Sequence, residues 1–274
     1  MRTALGIDAA WTITEPSGVA LIGETASGWR LLSVESSYAR FRERAIGRES
    51  ALQPTGEALD VRALLDSCRT GWGSAPDLVA IDMPLSLEPI VGPRASDRSV
   101  SRAFAKFWAS AYSPNTTRPG KLSDAMRADF DAAGFTLWTA AERSEPGMVE
   151  VYPHTALIAL SGDKKRLEYK VGKTTTYWPG RPLVERRRLL GDVWRRIVRL
   201  LEKEIAGVEC ALPSPSAEAV GRELKAYEDR LDAVVCAWVA KAALADEVEA
   251  YGDRTSAIFV PKSPTSRRVR ADVP

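Results

Sequence analysis

The chain has 274 residues, of which 45% are hydrophobic and 27% charged, with a net charge of +2. This composition is typical of a globular protein that buries a full core. No apolar run approaches the roughly 20 residues that cross a bilayer, and the amino terminus lacks the pattern of a secretory signal. The sequence therefore predicts a cytoplasmic protein that does not enter the membrane.

Cysteine and histidine content limits the kind of metal site that the chain can build. Three cysteines lie far apart without the spacing of a zinc site, and there is a single histidine. Any bound metal would therefore need oxygen ligands, which favours Mg²⁺ or Mn²⁺.

The first part of the chain predicts strands followed by a helix. Residues 3–8, 18–23 and 30–36 are apolar runs joined by turn residues and predict a β-meander. Residues 57–70 carry apolar side chains at helical spacing. The continuous apolar run 77–82 predicts a strand buried on both faces, and it ends in an aspartate, as the first strand does.

The second part predicts one further internal strand and two long helices. Residues 148–153 read as a strand that carries Glu150. Residues 183–206 predict an amphipathic helix with a basic outer side, and residues 229–250 predict another helix. Residues 256–260 predict a last strand, and the basic residues 262–274 predict a disordered tail.

Four carboxylates fall at or near element ends in this scheme: Asp8, Asp82, Glu150 and Asp232. A single aspartate after a strand is usually a turn residue, and an aspartate in the first turn of a helix also complements the helix dipole. Asp229 competes with Asp232 for the helix position. Grouped in space, however, such carboxylates would repel one another unless divalent cations neutralised them. Two ions in such a cage can activate water for phosphodiester cleavage.

Basic residues form two candidate surfaces for a polyanion. If residues 96–109 are helical, cations four residues apart line one side of that helix near Phe104, Phe107 and Trp108, which suits phosphate contact and base stacking. These cations are Arg94, Arg98, Arg102 and Lys106. The alternative is a helical lid with packed aromatics and solvated arginines.

The second basic surface lies further along the chain. Residues 164–203 contain thirteen Lys/Arg against four Asp/Glu, an excess of +9 that leaves −7 for the rest. A solvated helix face explains this excess equally well. His154 follows the strand with Glu150 and is a candidate general acid or phosphate donor, with a hydrogen-bonded structural role as the alternative. The loop 114–120 is expected to lie over the acidic site.

Short motifs along the chain resemble the predicted nucleases of domain-of-unknown-function family 429. These motifs are Gly6–Asp8, Ala80–Pro84, Glu150–Pro153, Asp229–Ala237 and Ala257–Pro261. The resemblance implies an α/β RNase H-like fold over residues 1–261. The expected fold has a five-stranded mixed sheet, an antiparallel first meander, flanking helices, a helical insertion at 84–146 and an extra C-terminal strand.

The resemblance also implies the site residues. Asp8 and Asp232 would be metal ligands, Asp82 a third ligand, and Glu150 would complete or support the site. The resulting hypothesis is a nuclease that uses Mg²⁺ or Mn²⁺ in a two-metal mechanism on DNA or RNA. A non-catalytic nucleic-acid-binding or partner-docking module on the same fold is the alternative. A sugar-kinase-like enzyme is disfavoured, because the chain lacks a duplicated domain and glycine-rich phosphate turns.

Overall fold

The computed structural model describes residues 1–49, 53–216 and 218–262. The predicted basic tail after Lys262 lies almost entirely outside these residues. The described strands are β1 (Thr3–Asp8), β2 (Gly18–Thr25), β3 (Gly28–Glu35), β4 (Leu78–Ile81), β5 (Thr136–Leu137), β6 (Gly147–Glu150), β7 (Val248–Gly252) and β8 (Ala257–Pro261). The described α-helices are α1 (Tyr38–Ala45), α2 (Val61–Trp72), α3 (Ala95–Phe104), α4 (Lys121–Ala132), α5 (Pro153–Ser161), α6 (Thr174–Tyr177), α7 (Leu183–Glu202), α8 (Val208–Ala211) and α9 (Gly221–Leu244).

The strands form one mixed sheet in the order β3-β2-β1-β4-β6-β8-β7, with β5 also paired to β6. The pairs β1–β2 and β2–β3 are antiparallel, so the predicted meander is present. The strands β1, β4 and β6 run parallel, with Ile7 opposite Ile81 and Ile81 opposite Glu150. The carboxyl ends of these three strands therefore meet at one edge of the sheet.

Helices cover both faces of the sheet, as expected for an α/β protein with buried parallel strands. One face packs on α5, α7 and α9, and alternate strand residues such as Ala4, Ala20 and Ala80 point to it. The other face packs on α1, α2 and α4, and Leu5 and Val79 point to it. None of the described helices is both long and apolar enough to cross a membrane.

Two glycines allow α9 to lie directly on the sheet backbone. A Cβ atom placed on Gly6 of β1 would be 2.1 Å from the carbonyl oxygen of Ala233 and 2.3 Å from the amide nitrogen of Ala237. A Cβ atom on Gly18 of β2 would be 2.1 Å from the carbonyl oxygen of Asp229. Any larger residue would push the helix away from the carboxyl edge of β1, so these glycines determine how close α9 comes to Asp8.

The structure corrects several element boundaries. The sheet has eight described strands instead of five plus a C-terminal one, because the insertion adds β5 and residues 248–252 form β7. Residues 248–250 were expected to continue a helix, but α9 ends at Leu244 and Asp246 adopts a left-handed φ of 55°. β7 then pairs with β8 across five residues. Helix α1 was not predicted at all.

The predicted start of α9 was also wrong. The helix begins at Gly221, eight residues before the expected start. Asp232 therefore lies about three turns inside the helix instead of in its first turn, and Asp229 is not an N-cap. The dipole explanation for Asp232 is lost with this change, since that effect is confined to the terminal turn.

Substituting Gly6 by alanine tests the close approach of α9. The Gly6→Ala variant should lose about 3 kcal/mol of unfolding free energy, because the new methyl group meets backbone atoms that cannot rotate away. Urea denaturation followed by circular dichroism measures this loss. Gly92→Ala is the control, since a Cβ atom there meets nothing within 4 Å. Equal stability of both variants would contradict the packing argument.

Candidate functional site

The candidate site begins with two aspartates at the carboxyl edge of the sheet. Asp8 is the last residue of β1, and by strand alternation its side chain points to the same face as Gly6, towards α9. Asp82 follows β4 directly, and its backbone N–H donates to the carbonyl oxygen of Ile7 at 2.8 Å. Both side chains are half-buried. Adjacent parallel strands thus bring two acidic groups to one place.

Helix α9 supplies three further acidic side chains, and all of them are buried. Glu228 and Asp229 are each 3% exposed, and Asp232 is 0% exposed. The carboxyl groups of Asp229 and Asp8 are close enough to shift each other's pKa. Because residues three apart lie on one side of a helix, Asp229 and Asp232 both reach the edge of the sheet. Asp229 therefore belongs to the cluster together with Asp232, so the two residues are not alternatives.

Two lysines neutralise the acidic residues of α9. The Nζ atom of Lys170 forms an ion pair with Asp232 and lies 3.6 Å from Glu228. The Nζ atom of Lys225 pairs with Asp229 and lies 3.4 Å from Glu228. Burial opposes the charge of Lys170, but Asp232, Tyr169 and Glu228 outweigh burial and raise the pKa of this lysine. Both ammonium groups are thus part of the site.

The remaining acids are held in an unfavourable environment for charge. Burial, with repulsion from Asp232 and Asp229, raises the pKa of Asp8 well above its usual range. Burial raises the pKa of Asp82 to about 7, with Asp232 adding to the effect and Lys170 opposing it. These mutual effects place Asp8, Asp82 and Asp232 within electrostatic reach of one another. A cation entering the site would relieve this repulsion.

The donor chemistry of this cluster suits a hard divalent cation, because its ligands are carboxylate oxygens. The cage that the sequence predicted is nevertheless not assembled. Among the described residues, no three His, Cys, Asp or Glu side chains lie together in a position to hold one ion. Asp232 and Asp229 instead direct their oxygens to Lys170 and Lys225. The side chains of Asp8, Asp82 and Asp232 are of the ligand type that such an ion prefers. The ammonium group of Lys170 lies beside Asp232, where the positive charge of the ion would act.

Glu150, the fourth predicted ligand, is engaged elsewhere. Its two oxygens accept hydrogen bonds from Arg94 at 2.5 and 2.7 Å, and one also accepts from the backbone N–H of Leu85 at 2.8 Å. Arg94 also binds Asp97. Alternation explains the placement, since Glu150 shares its strand face with Met148, on the side away from α9. The sequence predicted that Glu150 completes or supports the site; the structure places its carboxylate in this ion triad, apart from Asp8, Asp82 and Asp232, so a ligand role for it stays a prediction.

The predicted basic row is only partly exposed. Arg94 is 8% exposed and closed into the ion triad with Glu150 and Asp97, so its predicted contact with substrate does not agree with the structure. Arg98, Arg102 and Lys106 are exposed, although α3 ends at Phe104 and Lys106 lies in a short 3-10 turn. These three remain candidate phosphate contacts.

His154 is not placed to meet a substrate. Its ring is buried between Tyr152 and Tyr169, at centroid distances of 5.5 and 5.2 Å. Burial, aided by Lys170 and Arg166, lowers the pKa of His154 well below its usual value. The imidazole is therefore neutral and enclosed, which disagrees with its prediction as a substrate-binding residue.

Six of the thirteen cations in the basic stretch at residues 164–203 form ion pairs within the described part of the chain. Arg188 and Arg195 both contact Asp192, and Arg196 contacts Asp163. Its most informative member is Lys170, which sequence reasoning did not single out. Nothing local indicates its role, because its partner Asp232 is 62 residues away. Lys225 does have a local signal, since it lies four residues before Asp229 on one helix face.

Fold and site together define an α/β protein with a buried acidic cluster at the carboxyl edge of a mixed sheet. The chain belongs to the family described as Protein of unknown function (DUF429), whose model matches residues 6–256. The family resemblance seen in the motifs is thus confirmed. No curated protein matches the sequence.

The raised pKa of Asp82 predicts how stability depends on pH. The folded state holds the proton of Asp82 up to about pH 7, whereas the unfolded chain releases it near 3.8. Between about pH 3.8 and pH 7 the folded state therefore binds more protons than the unfolded chain. The stabilisation from Asp82 is complete below this pH range and is lost as the pH rises through the range. Asp82→Asn should be more stable than wild type at about pH 8, by about 1 kcal/mol after allowance for partial exposure.

Urea denaturation at about pH 4 and about pH 8 measures this difference. The gain should vanish at the lower pH, where wild-type Asp82 is itself neutral. Asp66→Asn, on the exposed side of α2, is the matched control and should change little at either pH. A gain that is the same at both pH values would contradict the assignment to Asp82.

Proposed function

We propose that the protein is a metal-dependent nuclease that hydrolyses phosphodiester bonds, built on an RNase H-like fold. One observation carries the proposal. Asp8, Asp82 and Asp232 come from two parallel strand ends and one helix, and burial together with repulsion from Asp232 raises the pKa values of Asp8 and Asp82. A bound cation would relieve this repulsion. The antiparallel meander followed by parallel β4 and β6 is consistent with the RNase H-like part of the proposal.

The residues that would hold Mg²⁺ or Mn²⁺ are Asp8, Asp82 and Asp232, with Asp229 beside them. When bound, such ions would neutralise charge and activate water for attack on phosphorus. Glu150 has a different role in this proposal. Together with Arg94 it fixes the turn after β4, because its carboxylate also binds the backbone N–H of Leu85.

Lys170 and Lys225 have a defined part in the proposal. While their ammonium groups pair with Asp232 and Asp229, the negative charge of the cluster is compensated without a metal. Entry of a divalent cation at Asp232 requires Lys170 to release that carboxylate. Lys170 is 24% exposed at its side chain and can turn outward, where its charge would be free to meet a phosphate.

Asp8→Asn tests the nuclease proposal. The wild-type chain with Mn²⁺ should cleave labelled DNA or RNA, and the variant should lose about 100-fold or more of that rate, because outer partners of metal ligands alone cost 10–100-fold. Cleavage is followed on denaturing gels. Asp66→Asn removes an exposed carboxylate from α2 and should cleave normally. Equal cleavage by wild type and Asp8→Asn would defeat the proposal.

Calorimetry separates the enzyme from the alternative, a non-catalytic nucleic-acid-binding module. An enzyme with this site binds Mn²⁺, and Asp8→Asn weakens that binding. A binding module shows no Mn²⁺ heat and binds nucleic acid equally well in EDTA and in Mn²⁺. The second result, together with absent cleavage, would favour the module.

Lys170→Met tests competition between the lysine and the ion. The variant should bind Mn²⁺ about fivefold more tightly, because an ion pair worth about 1 kcal/mol no longer has to be broken. Isothermal titration gives the dissociation constant. Lys173→Met is the control, since Lys173 is exposed in the same segment. Unchanged or weaker binding in Lys170→Met would show that the lysine does not compete for the site.

A further inference from the structure

Two aromatic side chains stand out on the surface of the segment that follows α3. Trp108 is 67% exposed and Tyr112 is 58% exposed, and the other aromatic side chains in the described part of the chain are buried or partly buried. Their neighbours Phe104 and Phe107 pack in the core. Aromatic side chains bury a large area when a ligand covers them, so exposed rings of this size are candidate contact residues.

Trp108 ends the short 3-10 turn in an uncommon backbone conformation. Trp108 has a left-handed φ of 64°, which is rare for a bulky residue because its Cβ atom is crowded there. Such local strain persists only where the surrounding structure imposes it, and it is concentrated at functional positions. The backbone conformation of Trp108 is therefore set by the folded chain around it.

Each exposed ring has an aromatic or cationic companion. Tyr112 meets Trp11 edge to face at 5.3 Å between centroids. The guanidinium of Arg118 lies 5.8 Å from the centroid of Trp11. The Nζ atom of Lys165 lies 5.1 Å from the centroid of Trp108 and also pairs with Glu168 at the surface. We call these five residues, Trp11, Trp108, Tyr112, Arg118 and Lys165, the aromatic strip.

Two connections link the chain segments that carry the aromatic strip to the sheet edge of the acidic site. Trp11 follows Asp8 by three residues. The hydroxyl of Tyr152, a residue that follows the carboxyl end of β6, donates to the carbonyl oxygen of Ser110 at 3.1 Å. The segment between the two exposed rings is thereby tied to the edge of the sheet where Asp8 and Asp82 lie.

We propose that the aromatic strip binds single-stranded nucleic acid and leads it to the carboxylates. This inference rests on the proposed nuclease function and specifies its substrate class. Unpaired bases would stack on Trp108, Tyr112 and Trp11, because every base has a face that can stack and no hydrogen-bond code is required. Arg118 and Lys165 would contact phosphates.

Single strands are favoured over duplexes by the geometry of stacking. The bases of a duplex are stacked on one another and present only their edges, so they cannot reach a ring face without unpairing. In the described part of the chain, Arg118 has no carboxylate within ion-pair distance. Its charge is therefore available to a phosphate, and aromatic rings interleaved with cations are the pattern of single-strand binding surfaces.

Binding is measured without cleavage, by fluorescence anisotropy of a labelled oligothymidine of about 15 nucleotides in EDTA. Tyr112→Ala and Trp108→Ala should each weaken binding about tenfold or more, because each removes one stacking platform. Tyr112→Phe keeps the ring and should bind within about twofold of wild type. Arg69→Ala, at the end of α2 that leads to the opposite edge of the sheet, should bind normally. Both truncated rings are exposed, so the variants should fold, and circular dichroism verifies this.

The competing outcomes are distinct. Normal binding by both Tyr112→Ala and Trp108→Ala would overturn the proposal, as would equal affinity for the oligothymidine annealed to its complement. Asp8→Asn should still bind the oligothymidine in EDTA, since it leaves the aromatic strip intact. Tight single-strand binding without any cleavage would defeat the nuclease function and keep the strip. Cleavage that Tyr112→Ala and Trp108→Ala leave unchanged would keep the nuclease function and defeat the proposed role of the aromatic strip.

Discussion

The close approach of α9 to β1 and β2 is the constraint on which the rest of the structure depends. Gly6 and Gly18 lack side chains where the helix backbone crosses them, so Ala233 and Asp229 touch the strands directly. This contact brings the acidic side of α9 to the strand end that carries Asp8. A helix one side chain further out would move Asp229 and Asp232 away from Asp8 and weaken the electrostatic coupling among them.

Gathering carboxylates in this way has an electrostatic cost that the chain offsets with its own cations. Lys170 and Lys225 pair with Asp232 and Asp229, while Asp8 and Asp82 retain raised pKa values because of burial. This partial neutralisation lowers the electrostatic cost of folding, but the negative charge of the site is not fully compensated. In the proposed function, this uncompensated negative charge is what attracts a divalent cation to the site.

Glu150 shows how one step of strand alternation separates a site residue from a structural one. It ends β6 as Asp8 ends β1, and the sequence motif groups the two. In the register of the sheet, however, Glu150 aligns with Ile81 and Ile7, which face away from α9, whereas Asp8 faces towards it. The ion triad with Arg94 then uses up the charge of Glu150.

The sequence by itself determined the meander, the two strands whose carboxyl ends carry Asp8 and Asp82, and the family, because apolar periodicity and short motifs are local signals. It did not determine the start of α9, the strand β7 or the partner of Asp232. Lys170 reaches that carboxylate across 62 residues of chain, and the exposure of Tyr112 depends on where its segment crosses the sheet edge. Contacts of this kind leave no periodic trace, since only the packing of distant segments decides them, and the tertiary structure was needed to show them.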